Sequence, residues 1–177
     1  VLDFCAAPGT KTTHMGELMD NRGSITAVDV SPEKLEKIEQ NCRRLGVEIV
    51  STRLASDVGQ LEPRSFDVVL VDAPCSNTGV LGRRPEARWR FSGENLTGLV
   101  EDQKALLTMA GEFVAPPGRL VYSTCSIEPE ECGQIAHWFT KRRGRFGLSD
   151  EILTLPGGGE SPEHWHDGGY VAIFNSS

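Results

Sequence analysis

The 177-residue chain is 38% hydrophobic and 24% charged, which fits a single globular domain over residues 1–177 with a sizeable core. The formal net charge of −7 argues against a nucleic-acid partner unless basic residues cluster locally, because Lys and Arg drive binding to phosphates. No segment approaches the roughly 18 apolar residues of a membrane span and no signal peptide is recognisable, so we expect a cytoplasmic protein without a membrane partner.

Short β-type runs alternate with helical patterns along the chain, which predicts βα units on a parallel sheet. The first strand begins at Val1, inside an apolar run, so we expect a fragment whose N-terminal part is missing. Ser31 as N-cap, Pro32 and Gly46 delimit the second helix. The predicted strands are 1–5, 24–30, 47–54, 65–72, 118–125, 151–155 and 169–174, and the predicted helices are 10–19, 32–45, 96–114 and 129–143.

The turn after the first strand, "DFCAAPGTKT", places small residues and Gly9 where a strand passes into a helix. Small side chains let a ligand approach the backbone, and a helix N-terminus offers free N–H groups. Asp29, Asp57 and Asp72 lie at or just after the ends of the next three predicted strands, so polar groups gather at the sheet edge where α/β proteins bind ligands. The turn has only one glycine and no G-K-[ST] sequence, which argues against a dehydrogenase and against an NTPase. Solvated strand ends are the alternative interpretation.

Three segments, "DFCAAPGTKT", "DAPCSNTGVLGRRPEARW" and "YSTCSIEPEE", resemble signature motifs of the Sun/Fmu-like RNA cytosine-5 methyltransferases, which use S-adenosylmethionine. They occur in the family's order, and "DGGYVAIF" resembles its last strand, so the resemblance covers essentially the whole chain. It implies an α/β, Rossmann-type class I methyltransferase fold: a mostly parallel seven-stranded sheet, helices on both faces and an antiparallel last strand. Thr10 and Asn77 depart from the family, which usually has glycine at both positions and RNA-binding segments N-terminal to this domain.

The resemblance also implies a cofactor site. The turn from Cys5 to Lys11 would wrap the methionine part of S-adenosylmethionine, Asp29 would hold its ribose hydroxyls and Asp57 its adenine. Asp72 would lie between the cofactor and the target base. The expected cofactor-binding residues are therefore Cys5, Ala6, Ala7, Pro8, Gly9, Thr10, Lys11, Asp29, Asp57 and Asp72.

Cys75 and Cys125 each follow an apolar strand and are the candidates for covalent catalysis. A thiolate that adds to carbon 6 of cytosine makes carbon 5 nucleophilic, and this step needs a cysteine of low pKa. Cys125 lies between a predicted strand and a predicted helix, where a helix N-terminus favours a thiolate, but the residues alone do not rank the two cysteines. The resemblance implies that Cys125 is the nucleophile and that Cys75 assists release. We expect Asp72 to contact the cytosine edge with Lys11 nearby.

The five cysteines are odd in number and irregular in spacing, which predicts reduced thiols rather than a disulfide framework. Cys42 falls on an apolar helix face and Cys132 in a predicted helix, so we expect structural roles for both. Buried, inert side chains are the alternative for the two candidate cysteines as well.

The segment 74–95 has no regular periodicity, and a loop this long is usually functional or disordered. It combines arginines with aromatic residues, as single-stranded RNA contacts do. "KRRGR" at 141–145 is a second basic cluster, and a solvated basic loop is the alternative. The predicted RNA-binding residues are Arg83, Arg84, Arg88, Trp89 and Arg90.

Several alternatives remain open at this level. The "EHWHD" segment offers His164, His166 and Asp167 as metal ligands, but a further spaced ligand pair is lacking and we expect no metal. The leading function is cytosine-5 methylation of ribosomal or transfer RNA. A methyltransferase for DNA or another base, and a cofactor-binding module that no longer methylates, are the competing hypotheses. The sequence does not fix the oligomeric state, for which we expect a monomer.

Overall fold

A computed structural model describes residues 1–177, which are organised around one seven-stranded sheet. The strands are β1 (Leu2–Phe4), β2 (Ile25–Asp29), β3 (Val50–Leu54), β4 (Phe66–Asp72), β5 (Val114–Thr124), β6 (Phe146–Thr154) and β7 (Gly169–Ser176). The helices are α1 (Thr10–Leu18), α2 (Pro32–Leu45), α3 (Ala87–Arg90), α4 (Gly93–Gly111) and α5 (Gly133–Arg142). None of these helices is both long and apolar enough to cross a membrane.

The strand order is β3-β2-β1-β4-β5-β7-β6, and β7 runs in the opposite direction to the other six strands. This topology confirms the predicted fold class. The order reverses between β1 and β4, and in open α/β sheets the crevice at such a point, outside the carboxyl ends of the strands, is where ligands bind. The fold therefore places its main binding crevice beside the turns that follow β1, β2 and β4.

The two faces of the sheet carry separate apolar clusters, because successive residues of a strand point to opposite sides. Ala27 packs with Leu35 and Ile38 of α2 on one face. Its neighbour Val28 belongs to the larger cluster on the other face, which includes Leu107 of α4. Helices therefore cover both faces, and the strand ends are held between two rigid layers.

Helix boundaries follow the predicted capping in one case and shift in others. Ser31 caps α2 by accepting a hydrogen bond from the Lys34 backbone N–H, and Gly46 ends it in the left-handed conformation, as predicted. Helix α4 starts at Gly93 rather than 96, because Ser92 provides a cap that the periodicity does not reveal. Helix α5 starts only at Gly133, later than the predicted 129.

The prediction of a helix to Val114 and a strand from 118 is wrong. Val114 begins β5 and pairs with Phe66 of β4, while a register shift before Val68 accommodates the Pro116–Pro117 pair. Prolines are tolerated in strands at such irregularities. The 74–95 segment is also more ordered than its sequence indicates, since it contains α3 and a 3-10 turn at Thr78–Val80.

Candidate active site

A cavity of about 440 Å³ opens at the carboxyl ends of β1, β2 and β4. Its walls are mostly apolar, and two carboxylates, Asp29 and Asp72, stand at the ends of β2 and β4. Such a mixture suits a ligand with a flat apolar part and several hydroxyl or amino groups. The lining residues are Phe4, Cys5, Ala7, Val28, Asp29, Val30, Lys34, Ala55, Val58, Asp72, Ala73, Pro74, Arg84, Leu106 and Met109.

Asp29 is held rigidly although it lines the cavity. It is only 4% exposed, and its carboxylate accepts hydrogen bonds from the backbone N–H groups of Ala7 (3.0 Å) and Val30 (2.7 Å). Lys34 forms an ion pair with it at 3.0 Å. A carboxylate has about four acceptor positions, so capacity for a ligand hydroxyl remains. The same contacts fix the turn after β1 to the end of β2.

The turn after β1 is shaped by unusual backbone angles. Gly9 has φ +99°, and a Cβ there would lie 3.2 Å from the Ile38 Cα, so both the backbone conformation and the close approach to α2 favour glycine. Cys5 has φ 60°, which is uncommon for a residue with a side chain. Beneath the turn, the Thr12 hydroxyl donates to the buried Asp3 carboxyl at 2.6 Å.

The expected cofactor residues therefore fall into two groups. Four of them line the cavity: Cys5, Ala7, Asp29 and Asp72. Six others are not among its lining residues: Ala6, Pro8, Gly9, Thr10, Lys11 and Asp57. Asp57 lies in the 3-10 helix Ala55–Gln60, whose members Ala55 and Val58 do reach the cavity. The sequence located this segment, but the structure presents its apolar side chains to the cavity.

Asp72 and Lys11 form an ion pair at the cavity mouth. Lys11 Nζ lies 2.6 Å from Asp72 Oδ2, and the Ser123 hydroxyl donates to Asp72 Oδ1 at 2.6 Å. Ser123 belongs to β5, so two adjacent strands and the first turn fix this carboxylate. Both groups remain partly exposed and are accessible to a ligand.

The two candidate cysteines meet next to this pair. Cys75 follows β4 and Cys125 follows β5, and their sulfur atoms lie 3.0 Å apart without a disulfide bond. Adjacent parallel strands bring their carboxyl ends together, so residues 50 positions apart become neighbours. The structure thus joins the two cysteine motifs into one site.

The hydrogen bond between the two thiols separates their acidities. It lowers the pKa of Cys125 below the ordinary value, although burial opposes this, and raises the pKa of Cys75 far above it. The expected cause, a helix N-terminus at Cys125, is wrong, because α5 begins only at Gly133 and the dipole acts within the first turn. The lowered pKa of Cys125 instead follows from its contact with the Cys75 thiol, and a lower pKa favours the thiolate form, which is the reactive form of a cysteine.

A buried carboxyl group, Glu131, ties the two cysteine motifs together. It is fully buried and accepts hydrogen bonds from Ser76 N at 2.9 Å, from the Ser76 hydroxyl and from Gln103 Nε2 at 2.9 Å. The sequence did not single out this residue. Glu131 stands in a segment with Glu128 and Glu130, and such a run of glutamates does not indicate burial. Its role in connecting the two cysteine motifs is therefore visible only in the fold.

Cys42 and Cys132 belong to the two apolar clusters of the core. Cys42 is buried on the apolar face of α2, as predicted. Cys132 is also buried, but it precedes α5 rather than lying in it. Burial raises the pKa of Cys132 to about 11, which makes it a poor nucleophile.

The predicted RNA-binding residues point in different directions. Arg88, Trp89 and Arg90 lie on α3, where Trp89 is 86% exposed. Arg83 forms an ion pair with Asp167 at 3.0 Å, which connects this segment to the glycine-rich loop before β7. Arg84 instead lines the cavity, so it faces the expected cofactor as well as the surface.

The possible metal site is not assembled. No group of three or more His, Cys, Asp or Glu side chains lies close enough together to hold a metal ion. Asp167 is paired with Arg83, and His166 takes part in a backbone bridge to Gly157.

The fold and cavity define a methyltransferase domain of the Rossmann-like class. Apolar walls suit an adenine ring, and the carboxylates of Asp29 and Asp72 match the hydroxyl and amino groups of S-adenosylmethionine. The residues present therefore fit the expected cofactor, with Asp29 and Asp72 at its polar groups.

Comparisons with known proteins identify the family. The family model described as "16S rRNA methyltransferase RsmB/F" matches residues 1–158, and the chain belongs to this family. It is 38% identical over 149 residues to the "Probable ribosomal RNA small subunit methyltransferase B" of Bacillus subtilis (strain 168), covering 82% of this chain and 33% of that protein. It is 40% identical over 139 residues to the "Ribosomal RNA small subunit methyltransferase F" of Serratia proteamaculans (strain 568), covering 77% and 29%.

A solved structure supports the same assignment. NSun6 from Pyrococcus horikoshii, crystallised with the S-adenosylmethionine analogue SFG, superposes with a TM-score of 0.79 at 30% identity, over 99% of this chain and 47% of that one. The resemblance to the Sun/Fmu-like enzymes and their cofactor is thus confirmed. The chain spans about a third of the length of the curated relatives it matches.

Proposed function

We propose that this domain transfers a methyl group from S-adenosylmethionine to carbon 5 of a cytosine in ribosomal RNA, with Cys125 as the covalent nucleophile. The observation that carries this proposal is the 3.0 Å contact of the Cys125 and Cys75 sulfurs beside the Lys11–Asp72 pair. Names of relatives support ribosomal RNA as the substrate. The cofactor, when bound, supplies an electrophilic methyl group.

Cys125 performs the first step in this proposal. Its sulfur adds to carbon 6 of the base, so carbon 5 gains electron density and becomes able to accept a methyl group. The Cys75 thiol supports the thiolate by donating a hydrogen bond before the attack. After methyl transfer a base takes the carbon-5 proton and the double bond between carbon 5 and carbon 6 forms again. The carbon–sulfur bond breaks with its electron pair leaving on Cys125, and the Cys75 thiol stabilises the resulting thiolate by donating a hydrogen bond.

Asp72 is proposed to select the base. Its carboxylate is fixed by Lys11 and Ser123, and its remaining acceptor positions suit the amino group of cytosine. Uracil presents a carbonyl oxygen at that position, which would face the carboxylate with no hydrogen to share. A site built to bind a donor rejects the analogue that lacks it by a large factor.

The exposed α3 segment is proposed to hold the RNA around the target. Trp89 offers a ring for base stacking, and Arg88 and Arg90 offer charges for phosphates. Such a local arrangement would allow a chain with net charge −7 to bind an anionic polymer.

The test follows labelled methyl groups. Ribosomal RNA is incubated with the protein and methyl-labelled S-adenosylmethionine, digested to nucleosides, and analysed by mass spectrometry. Label in 5-methylcytidine that disappears with Cys125→Ala supports the proposal, and the matched control Cys42→Ala should retain it. Label in another nucleoside, or full activity of Cys125→Ala, would overturn it.

A further inference from the structure

Asn77 bridges the two cysteines of the site. Its Nδ2 donates to the backbone carbonyl of Cys75 at 2.8 Å, and its Oδ1 lies 3.1 Å from Cys125 Sγ. The side chain is half-buried between the two motifs. No other side chain contacts both cysteines through hydrogen bonds in this way.

The orientation of the Asn77 amide follows from its partners. The Cys75 carbonyl only accepts hydrogen bonds, so the amino group of the amide must face it. The carbonyl oxygen is then directed at Cys125. An oxygen acceptor binds a thiol, which donates, but repels a thiolate, which presents only lone pairs.

The number of hydrogens on the two thiols decides which sulfur donates the hydrogen bond between Cys75 and Cys125. A thiol carries one hydrogen, and when Cys125 donates it to Asn77, the hydrogen bond between the sulfurs must come from Cys75. Cys75 therefore favours the thiolate of Cys125, whereas Asn77 favours the thiol. The two neighbours act on the same sulfur in opposite senses.

We propose that Asn77 is a positioning residue that holds Cys125 in the thiol form and so raises the pH above which this nucleophile becomes reactive. The proposal rests on the proposed function only in naming Cys125 as the nucleophile. Because Cys125 is held in the thiol form, it reacts more slowly with alkylating and oxidising reagents at neutral pH.

The backbone at Asn77 permits a clean substitution. It has φ 63° and ψ 23°, a left-handed conformation that glycine adopts without strain. Asn77→Gly therefore removes the amide and leaves the loop conformation available. Asn21 offers a matched control, because it has φ 52° and its side chain bonds only to backbone groups of Gly46 and Glu48.

The experiment measures alkylation of Cys125 by iodoacetamide as a function of pH, with the modified peptide quantified by mass spectrometry. For Asn77→Gly we expect the midpoint of the pH profile of Cys125 alkylation to fall by about 0.5 to 1 pH unit. This corresponds to about three- to ten-fold more thiolate at a given pH below the midpoint. Asn21→Gly should leave the midpoint unchanged. Asn77→Asp, which presents a charged acceptor, should raise it.

The pH dependence of methyl transfer should move with the alkylation midpoint. A midpoint that stays or rises in Asn77→Gly, or that shifts equally in Asn21→Gly, would overturn the proposal. Alkylation needs neither RNA nor cofactor, so its result is independent of the proposed function. If RNA methylation is absent while the midpoint still falls, the proposed function fails and the restraint by Asn77 stands.

Discussion

Replacing Glu131 with alanine tests whether the hydrogen bonds that this buried carboxyl group accepts stabilise the segments that carry the two cysteines. The change leaves the partly buried Ser76 N–H without a partner and removes the bonds from the Ser76 hydroxyl and from Gln103 Nε2. An orphaned buried donor costs about 2 kcal/mol, and two lost hydrogen bonds add about 1 kcal/mol each, giving about 4 kcal/mol. For a domain of this size that corresponds to a fall in Tm of about 8–16 °C.

Glutamine at the same position provides the control. Both N–H donors bond to Glu131 Oε1, which an amide oxygen replaces, and the new amide nitrogen would face the Ser76 hydroxyl, which also accepts. The free energy of unfolding of Glu131→Gln should therefore stay within about 1 kcal/mol of that of the parent. The same is expected for Glu130→Ala, which changes an exposed residue. Thermal and urea unfolding measure all three. A loss below about 1 kcal/mol in Glu131→Ala would refute the reasoning.

Three further outcomes follow from the structure. Burial raises the pKa of Asp3 to about 6 from 3.8, so the folded state binds this proton more tightly than the unfolded state, and the contribution of Asp3 to stability falls as pH rises through that window. Urea unfolding should show that Asp3→Asn gains about 2 kcal/mol in free energy of unfolding relative to the parent between pH 4 and pH 7, and a constant difference would contradict this. A Cβ on Gly79 would lie 2.6 Å from the Gly168 carbonyl oxygen, so Gly79→Ala should cost about 1–3 kcal/mol in unfolding experiments, whereas Gly82→Ala, with open space around it, should be neutral, and equal effects would argue against this packing. Trp89→Ala should weaken RNA binding by about 5- to 150-fold in a titration at fixed salt with Tm unchanged, and unaltered affinity would remove α3 from the RNA surface.

Much of the fold is predictable because it depends on local patterns. Alternating apolar runs and helical periodicity give the βα order, and Ser31 and Gly46 give both ends of α2. The start of β5 is not predictable in this way. Val114 continues the helical stripe of α4 and precedes two prolines, and only its pairing with Phe66 reveals a strand.

The candidate site shows a similar division. The motifs locate Cys75, Cys125 and Asp72, since each lies at the end of a strand or just after it. The source of acidity at Cys125 is not local, because it comes from a thiol on the neighbouring strand rather than from its own helix. Glu131 is likewise invisible in the sequence, since its burial depends on Ser76 and Gln103, which lie far from it along the chain.

Covalent trapping on ribosomal RNA that contains 5-azacytosine tests the central claim most directly, because this base lacks the carbon-5 hydrogen whose loss precedes release. The parent protein should form an adduct that survives denaturing electrophoresis. Cys125→Ala should form none, whereas Cys75→Ala should retain or accumulate it, since the release step loses its hydrogen-bond donor. An adduct that persists in Cys125→Ala and vanishes in Cys75→Ala would contradict the account.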